Sequence, residues 1–222
     1  MGIPEFSCLP YGPNGLLIRF ADAVGDASFA RARAIIADLE ADPPAGLIEF
    51  VPAFTTVLLE FDPEVALDVK AHPFELLARL KAAVGRAPAP NPVKTISVTY
   101  NGPDLESLAQ HHGLTPDEVI RLHTEPIYKV YMLGFSPGFP YLGDLNPRLH
   151  TRRLATPRPR VVAGSVGIGG EHTGIYSVDS PGGWNIIGHS TVRLFDPGAD
   201  GTDKGEAMFM LRPGDRIRFV PI

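Results

Sequence analysis

The sequence predicts an α+β N-terminal domain followed by a mainly-β domain with the rhythm of a barrel or sandwich. Three observations carry this. Strand and helix patterns alternate from Gly15 to Leu80. A stretch with three prolines and no periodicity, GRAPAPNP, then breaks the pattern. Beyond it, short apolar runs are separated by glycine and proline turns.

Taken in order, GLLIRF is a short apolar run and reads as a strand. Phe29, Ala32, Ile36 and Leu39 recur at three- and four-residue steps, an amphipathic helix that stops before Pro43-Pro44. LIEFVPAF and TTVLLEF read as two strands, with Pro52 where an edge tolerates it. Asp62-Pro63 is a good cap and first-turn pair, and His72-Pro73 restarts a helix carrying Phe74, Leu77 and Leu80. This β-α-β-β-α order predicts a two-layer unit over 1–85, with a linker at 86–92.

The second domain, 93–222, opens with the alternating strand VKTISVTY. Two short helices follow: Leu105, Leu108 and Ala109 share a face in the first, and Thr115 caps the second before Pro116. YKVYMLGF, SVGIG, GIYSV, WNIIG, TVRLF and RIRFV are the expected strands.

Composition narrows the function classes. Hydrophobic content of 44% and charged content of 20% fit an ordinary globular chain. A net charge of −5 exerts no pull toward nucleic acid or an acidic membrane. The single Cys8 excludes an intrachain disulfide and a cysteine-based zinc site. No basic-then-apolar leader and no apolar run of membrane-span length are present, so a cytoplasmic setting is expected. The two short helices carry Asp104, Glu106, Asp117 and Glu118, which would repel DNA. His111 and His112 diverge on their helix and the other histidines are scattered, so no metal site is expected.

From Gly134 to Gly188 the chain places eleven of its 23 glycines in one block. Glycine costs backbone entropy on folding, so the cluster points to positive φ angles or a close approach to the backbone, as at the wall of a site. Ser180 follows Asp179 and precedes Gly182 and Gly183, whose N–H groups are uncluttered donors for an oxyanion. His172 is the one imidazole inside the block and reads either as an acid–base group or as a polar wall residue. Arg148, Arg152, Arg153, Arg158 and Arg160 form an acid-free run that reads either as a solvated rim or as an anion site. There is no GxSxG elbow, no phosphate-binding GxxxxGK[ST] loop and no dinucleotide GxGxxG after a strand.

The segments VYMLGFSPGFPYLGDL, ATPRPRVVAGSVGIGG, TGIY, SPGGWNIIG, LFDP and RPGDRIRFVPI resemble the family of 5-oxoprolinase B subunits (PxpB). That family includes the kinase inhibitor KipI and was long labelled allophanate hydrolase subunit 1. It is similar to subdomains C and D of the carboxyltransferase region of urea carboxylase. GLLIRFAD, FVPAFTTVLLEFDP and GPDLESLAQHHGLTPDEVIRLH extend the resemblance over nearly the whole chain. The resemblance implies a ferredoxin-like N-terminal domain and a cyclophilin-like β-barrel. It also implies partnership with the C subunit (KipA-like) and the A subunit of a 5-oxoprolinase. Together these would open the lactam of 5-oxoproline to glutamate while ATP, as its magnesium complex, is hydrolysed. No metal and no biotin are expected on this chain. Where the family usually carries proline, alanine, glutamine, proline and a basic residue, this chain has Val162, Gly169, His172, Ser177 and His189.

Under that resemblance, Gly164, Ser165, Thr173, Gly182 and Gly183 are expected as backbone or hydroxyl donors and His172 as the titrating group. Phe135, Phe139, Tyr176 and Trp184 are the expected apolar walls, and Arg158 or Arg160 the anion contact. A different class stays open: a KipI-like inhibitor that docks a sensor histidine kinase. A urea or allophanate role is a third, weakened because neither a biotin-attachment motif nor an amidase Gly/Ser signature occurs.

Overall fold

The computed structural model describes residues 6–86, 88–199 and 208–222. The chain divides into two compact units between Pro90 and Asn91, within the proline-rich stretch. Ala87 of the expected 86–92 linker lies outside the described residues.

The first unit runs β1 (Ser7–Tyr11), β2 (Gly15–Arg19), α1 (Asp26–Ala41), β3 (Leu47–Pro52), β4 (Thr56–Phe61), α2 (Pro63–Ala71) and α3 (Phe74–Val84). Its strands form one antiparallel sheet in the order β1-β2-β4-β3. Leu16, Ile18, Val57, Leu59 and Phe61 alternate onto one face and pack with Ile35, Leu39 and Leu80 from the helices. Asp62 accepts a hydrogen bond from the Glu64 N–H at 2.8 Å, so α2 starts at its predicted cap with Pro63 in the first turn.

Two helix expectations shift. The buried stripe of α1 is Phe29, Ala32, Ile35 and Leu39, so Ile35 takes the core place expected of Ile36. Phe74 is 79% exposed because it stands about 120° round α3 from the fully buried Leu80. Strand β1 was not expected: it carries Pro10 and is exposed at four of its five positions, a pattern only an edge strand sustains.

The second unit contains β5 (Val93–Val98), α4 (Leu105–His112), α5 (Pro116–Thr124), β6 (Tyr128–Leu133), β7 (Pro140–Gly143) and a 3-10 turn at Pro147–Leu149. These are followed by β8 (Arg158–Val161), β9 (Ser165–Gly169), β10 (His172–Ile175), β11 (Ser180–Gly182), β12 (Asn185–His189) and β13 (Arg216–Pro221). Seven strands form one mixed sheet, β12-β9-β10-β7-β6-β13-β5, with β5 and β13 parallel. Just beyond β5, Thr99 exchanges two backbone hydrogen bonds of 2.9 Å with His189 of β12, bringing the sheet's ends together. The architecture is therefore a nearly closed mixed barrel rather than a sandwich.

Val98, Val130, Leu142, Ile168, Ile175 and Ile217 fill the barrel, and Leu108, Val119 and Leu122 of the two helices join the same core. Thr115 and Glu118 make the reciprocal capping box of α5. β8 and β11 pair separately as a two-stranded ribbon. The expected strand TVRLF does not form; only Phe195 bridges, to Phe209. There the Ser190 hydroxyl accepts from the Val192 N–H and Arg193 pairs with Asp196, local contacts that replace a ladder. No described helix is long and apolar enough to cross a membrane.

Candidate functional site

Apart from the barrel core, Phe139, Val161, Tyr176, Trp184 and Ile186 form a smaller apolar cluster. Its aromatic rings meet edge to face. Phe139 lies 5.2 Å from Trp184, 5.3 Å from Tyr176 and 5.2 Å from Tyr141 between ring centroids. Phe135 closes one side, 5.5 Å from Phe139. Together they line a small open pocket whose remaining wall is Gly182 and Gly183, with Arg153 beside Trp184.

The glycine density of this block has a steric cause at two places. A Cβ at position 169 would stand 2.6 Å from the Trp184 indole nitrogen, so only glycine lets the indole lie against β9. A Cβ on Gly182 would run into the Tyr176 hydroxyl.

The loop that presents Phe135 is tightly held. The Gly134 N–H donates to the Phe139 carbonyl at 3.1 Å, and the Ser177 hydroxyl donates to the Pro137 carbonyl at 2.5 Å. Within it Phe135 adopts a left-handed φ of 69° while 62% exposed. For a bulky residue that conformation costs on the order of 1–3 kcal/mol. An apolar ring that is both strained and solvated is a feature of binding surfaces rather than of packing.

The structure thus brings together Phe135, Phe139, Tyr176, Gly182, Gly183 and Trp184 from the expected set. Gly183 is held in this wall by its carbonyl, which accepts from the Leu154 N–H at 2.7 Å. Burial raises the Tyr176 phenol above its ordinary range, while a hydrogen bond with the Trp184 backbone and the charges of Arg153 and Arg158 hold the rise back.

The other expected residues lie elsewhere. The Gly164 N–H donates to the Tyr176 carbonyl at 2.7 Å, and the Ser165 N–H donates to Val162 at 3.2 Å, so neither offers a free donor. Thr173 is fully buried in the barrel. Its hydroxyl donates to the Gly167 carbonyl at 3.0 Å and accepts from His123 Nε2 at 2.8 Å. Tyr100 donates to His123 Nδ1 at 2.7 Å, which sets the tautomer of that buried ring.

His172 is half-buried on β10 and outside the pocket lining. Burial lowers its pKa, and the Glu171 charge and a hydrogen bond with the Leu142 backbone work against that. Ser180 is also outside the lining, and its buried hydroxyl has no hydrogen-bond partner among the described residues.

Both arginines expected to hold an anion are committed within the fold. Arg158 pairs with Asp104 at 2.6 Å and donates to the Trp184 carbonyl at 3.3 Å. Arg160 pairs with Asp179, whose other oxygen accepts from the Ala163 N–H at 2.8 Å. The pocket's cation is instead Arg153, whose guanidinium lies 5.8 Å from the Trp184 ring centre. Sequence reasoning passed over Arg153 and Tyr141. Tyr141 sits in the GFPYLG motif and was within reach. Arg153 could not be told from its four neighbours without knowing which of them face a carboxylate.

The candidate site is thus an aromatic box walled by Gly182 and Gly183, with one guanidinium at its edge. It carries no nucleophile with an adjacent base, and no metal-holding group of side chains exists among the described residues.

A two-unit chain of this design defines a class. Residues 6–203 match the model described as "Carboxyltransferase domain, subdomain C and D". The chain is 37% identical over 226 residues to the 5-oxoprolinase B subunit of Bacillus subtilis, covering 95% of this chain and 90% of that relative. It is 52% identical to the Escherichia coli O157:H7 protein of the same name over 129 residues, 57% of this chain and 56% of that relative. Among solved structures, TTHA0988 superposes with a TM-score of 0.79 at 40% identity, covering 94% of this chain and 40% of that one. The chain belongs to the 5-oxoprolinase B-subunit family of carboxyltransferase subdomain C and D proteins.

Proposed function

We propose that this chain is the B subunit of a multi-subunit, ATP-dependent 5-oxoprolinase that opens the lactam of 5-oxoproline to glutamate. In this reading it acts in the cytoplasm with a C subunit (KipA-like) and an A subunit. The observation that carries the reading is the aromatic pocket walled by Gly182 and Gly183, found in a chain 37% identical over 226 residues to the B. subtilis protein. Trp184 and Phe135 flank the lactam ring, and the Gly183 N–H polarises a substrate oxygen. His172 stands outside the pocket lining, so this reading gives it no proton-transfer step at the ring.

The site is a partial one. No phosphate-binding loop accompanies the pocket, so this reading assigns ATP to another chain of the complex. The fold supports the finer names as part of the same proposal: ferredoxin-like for the β1-β2-β4-β3 unit and cyclophilin-like for the barrel, with 1–85, 86–92 and 93–222 as first domain, linker and second domain.

The test is glutamate release from 5-oxoproline by the complex of all three subunits. ATP hydrolysis that depends on 5-oxoproline, and is lost when this chain is omitted, is the expected result. A fully assembled complex without such turnover overturns the reading.

A further inference from the structure

The geometry points to Arg153 as the residue that selects a ring carrying a carboxylate, with the Trp184 indole as the surface on which the ring lies. The inference rests on the reading of the pocket as the lactam site and goes beyond it, because it names which functional group is read and by what.

Position comes first. The backbone on either side of Arg153 is tied to the backbone and side chains around Trp184. The Asn185 amide donates to the Arg152 carbonyl at 3.0 Å, and the Leu154 N–H donates to the Gly183 carbonyl at 2.7 Å. The bridge from Thr151 to Gly170, with hydrogen bonds of 3.1 and 2.7 Å, extends the tie upstream. Three fastenings in four residues fix the Arg153 Cα while its side chain stays solvent-exposed beside the pocket. A long side chain on a clamped backbone loses less freedom when it captures a ligand.

Elimination comes second. Arg158 and Arg160 are occupied by Asp104 and Asp179. Arg148 lies in the Asn146-capped turn and acts electrostatically on Glu118. Arg152 does not line the pocket, whereas Arg153 does and is in no ion pair among the described residues. Its charge already acts on both Tyr176 and His172.

Chemistry comes third. A guanidinium held over an indole face is weakly hydrated and offers parallel donors that match a carboxylate. Gly183, in the same lining, carries a backbone N–H, a single neutral donor of the kind that suits an amide oxygen. A molecule with a carboxylate at one end and a ring amide at the other engages both, while the same ring without the carboxylate engages only the second.

The experiment uses the chain's one tryptophan as its reporter. Trp184 fluorescence of the full-length chain is titrated with 5-oxoproline and with 2-pyrrolidinone, the same lactam without the carboxylate, in wild type, R153K and R153Q. A charge-assisted hydrogen bond is worth about 1.5–3 kcal/mol, so R153Q is expected to weaken 5-oxoproline about 10- to 100-fold. R153K should fall between the two, and the weak response to 2-pyrrolidinone should stay the same. Equal weakening of both ligands, an unchanged 5-oxoproline response in R153Q, or no wild-type response to 5-oxoproline overturns the assignment. Turnover of the assembled complex is scored separately. A wild-type complex that turns over while R153Q leaves its KM for 5-oxoproline unchanged rejects Arg153 alone. A complex that binds 5-oxoproline through Arg153 but never releases glutamate rejects the functional reading alone.

Discussion

Arg158 Nη2 lies 2.6 Å from Asp104 Oδ1, and this ion pair ties the start of α4 to the wall of the aromatic pocket. The other Asp104 oxygen accepts from the Ile186 N–H at 2.6 Å, and Arg158 reaches on to the Trp184 carbonyl. Asp104 is mostly buried, so removing it strands both a guanidinium and a backbone donor. Asp104→Ala is therefore expected to cost about 3 kcal/mol in urea unfolding, with Asp104→Asn costing less because an acceptor remains. Trp184 emission should shift to the red in the folded Asp104→Ala protein. A variant with unchanged stability and unchanged emission would show that the pair does not organise the pocket.

His123 gives the barrel a pH dependence whose sign can be worked out. The ring is fully buried between Tyr100 and Thr173 and stacked 4.7 Å from Phe219, and burial lowers its pKa to about 3. In the unfolded chain it returns to about 6.5. Above that value both states are neutral and the full stability is present. As pH falls from about 6.5 to about 3 only the unfolded state takes up the proton, so stability is lost at up to about 1.4 kcal/mol per pH unit. His123→Phe leaves the Tyr100 hydroxyl without its partner and takes one of two from the Thr173 hydroxyl, so it starts from a lower stability, but its profile should be flatter by that slope. Parallel profiles for the two proteins in chemical denaturation between pH 7 and pH 4 would contradict this.

Most strands and both helices of the second unit were visible in the sequence because they rest on local signals: alternation, Pro after a cap, Gly after a run. Thr115 and Asp62 could be placed this way because a cap bonds to residues two or three positions ahead. What escaped depends on distant partners. TVRLF has the composition of a strand, yet Ser190 and Asp196 satisfy its neighbourhood locally. Gly164 and Thr173 look like free donors in a glycine-rich run, and only the fold shows that the carbonyls of Tyr176 and Gly167 already occupy them. The aromatic half of the site was legible because large rings beside glycine have few other uses. The cationic half was not, since Asp104 lies 54 positions from Arg158 in sequence.

Ser180 offers a test of the fold against its own polar groups. Its hydroxyl is buried without a hydrogen-bond partner on the β8–β11 ribbon. An unsatisfied buried hydroxyl costs about 1–3 kcal/mol, so Ser180→Ala should raise stability by about 1 kcal/mol once the lost contacts of the oxygen are counted. The gain is read as a higher midpoint in thermal or urea unfolding. A loss of about 1 kcal/mol or more would mean that the hydroxyl is satisfied in solution.

Phe135 separates strain from contact. Its φ of 69° suits glycine, and its ring is mostly in solvent, touching Phe139 edge-on. Ordinarily alanine is the more stabilising replacement, because glycine gives the unfolded chain more freedom. Here alanine keeps the left-handed penalty while losing the ring contacts, whereas glycine loses the contacts and removes the penalty. Phe135→Gly should therefore be more stable than Phe135→Ala by about 1 kcal/mol. Both should weaken lactam binding by about the same factor, roughly 3- to 10-fold, since each removes one aromatic contact. The reverse order of stability would show that the loop relaxes out of the left-handed conformation in solution. Unequal binding losses would show that the backbone of the loop, and not the ring of Phe135, meets the ligand.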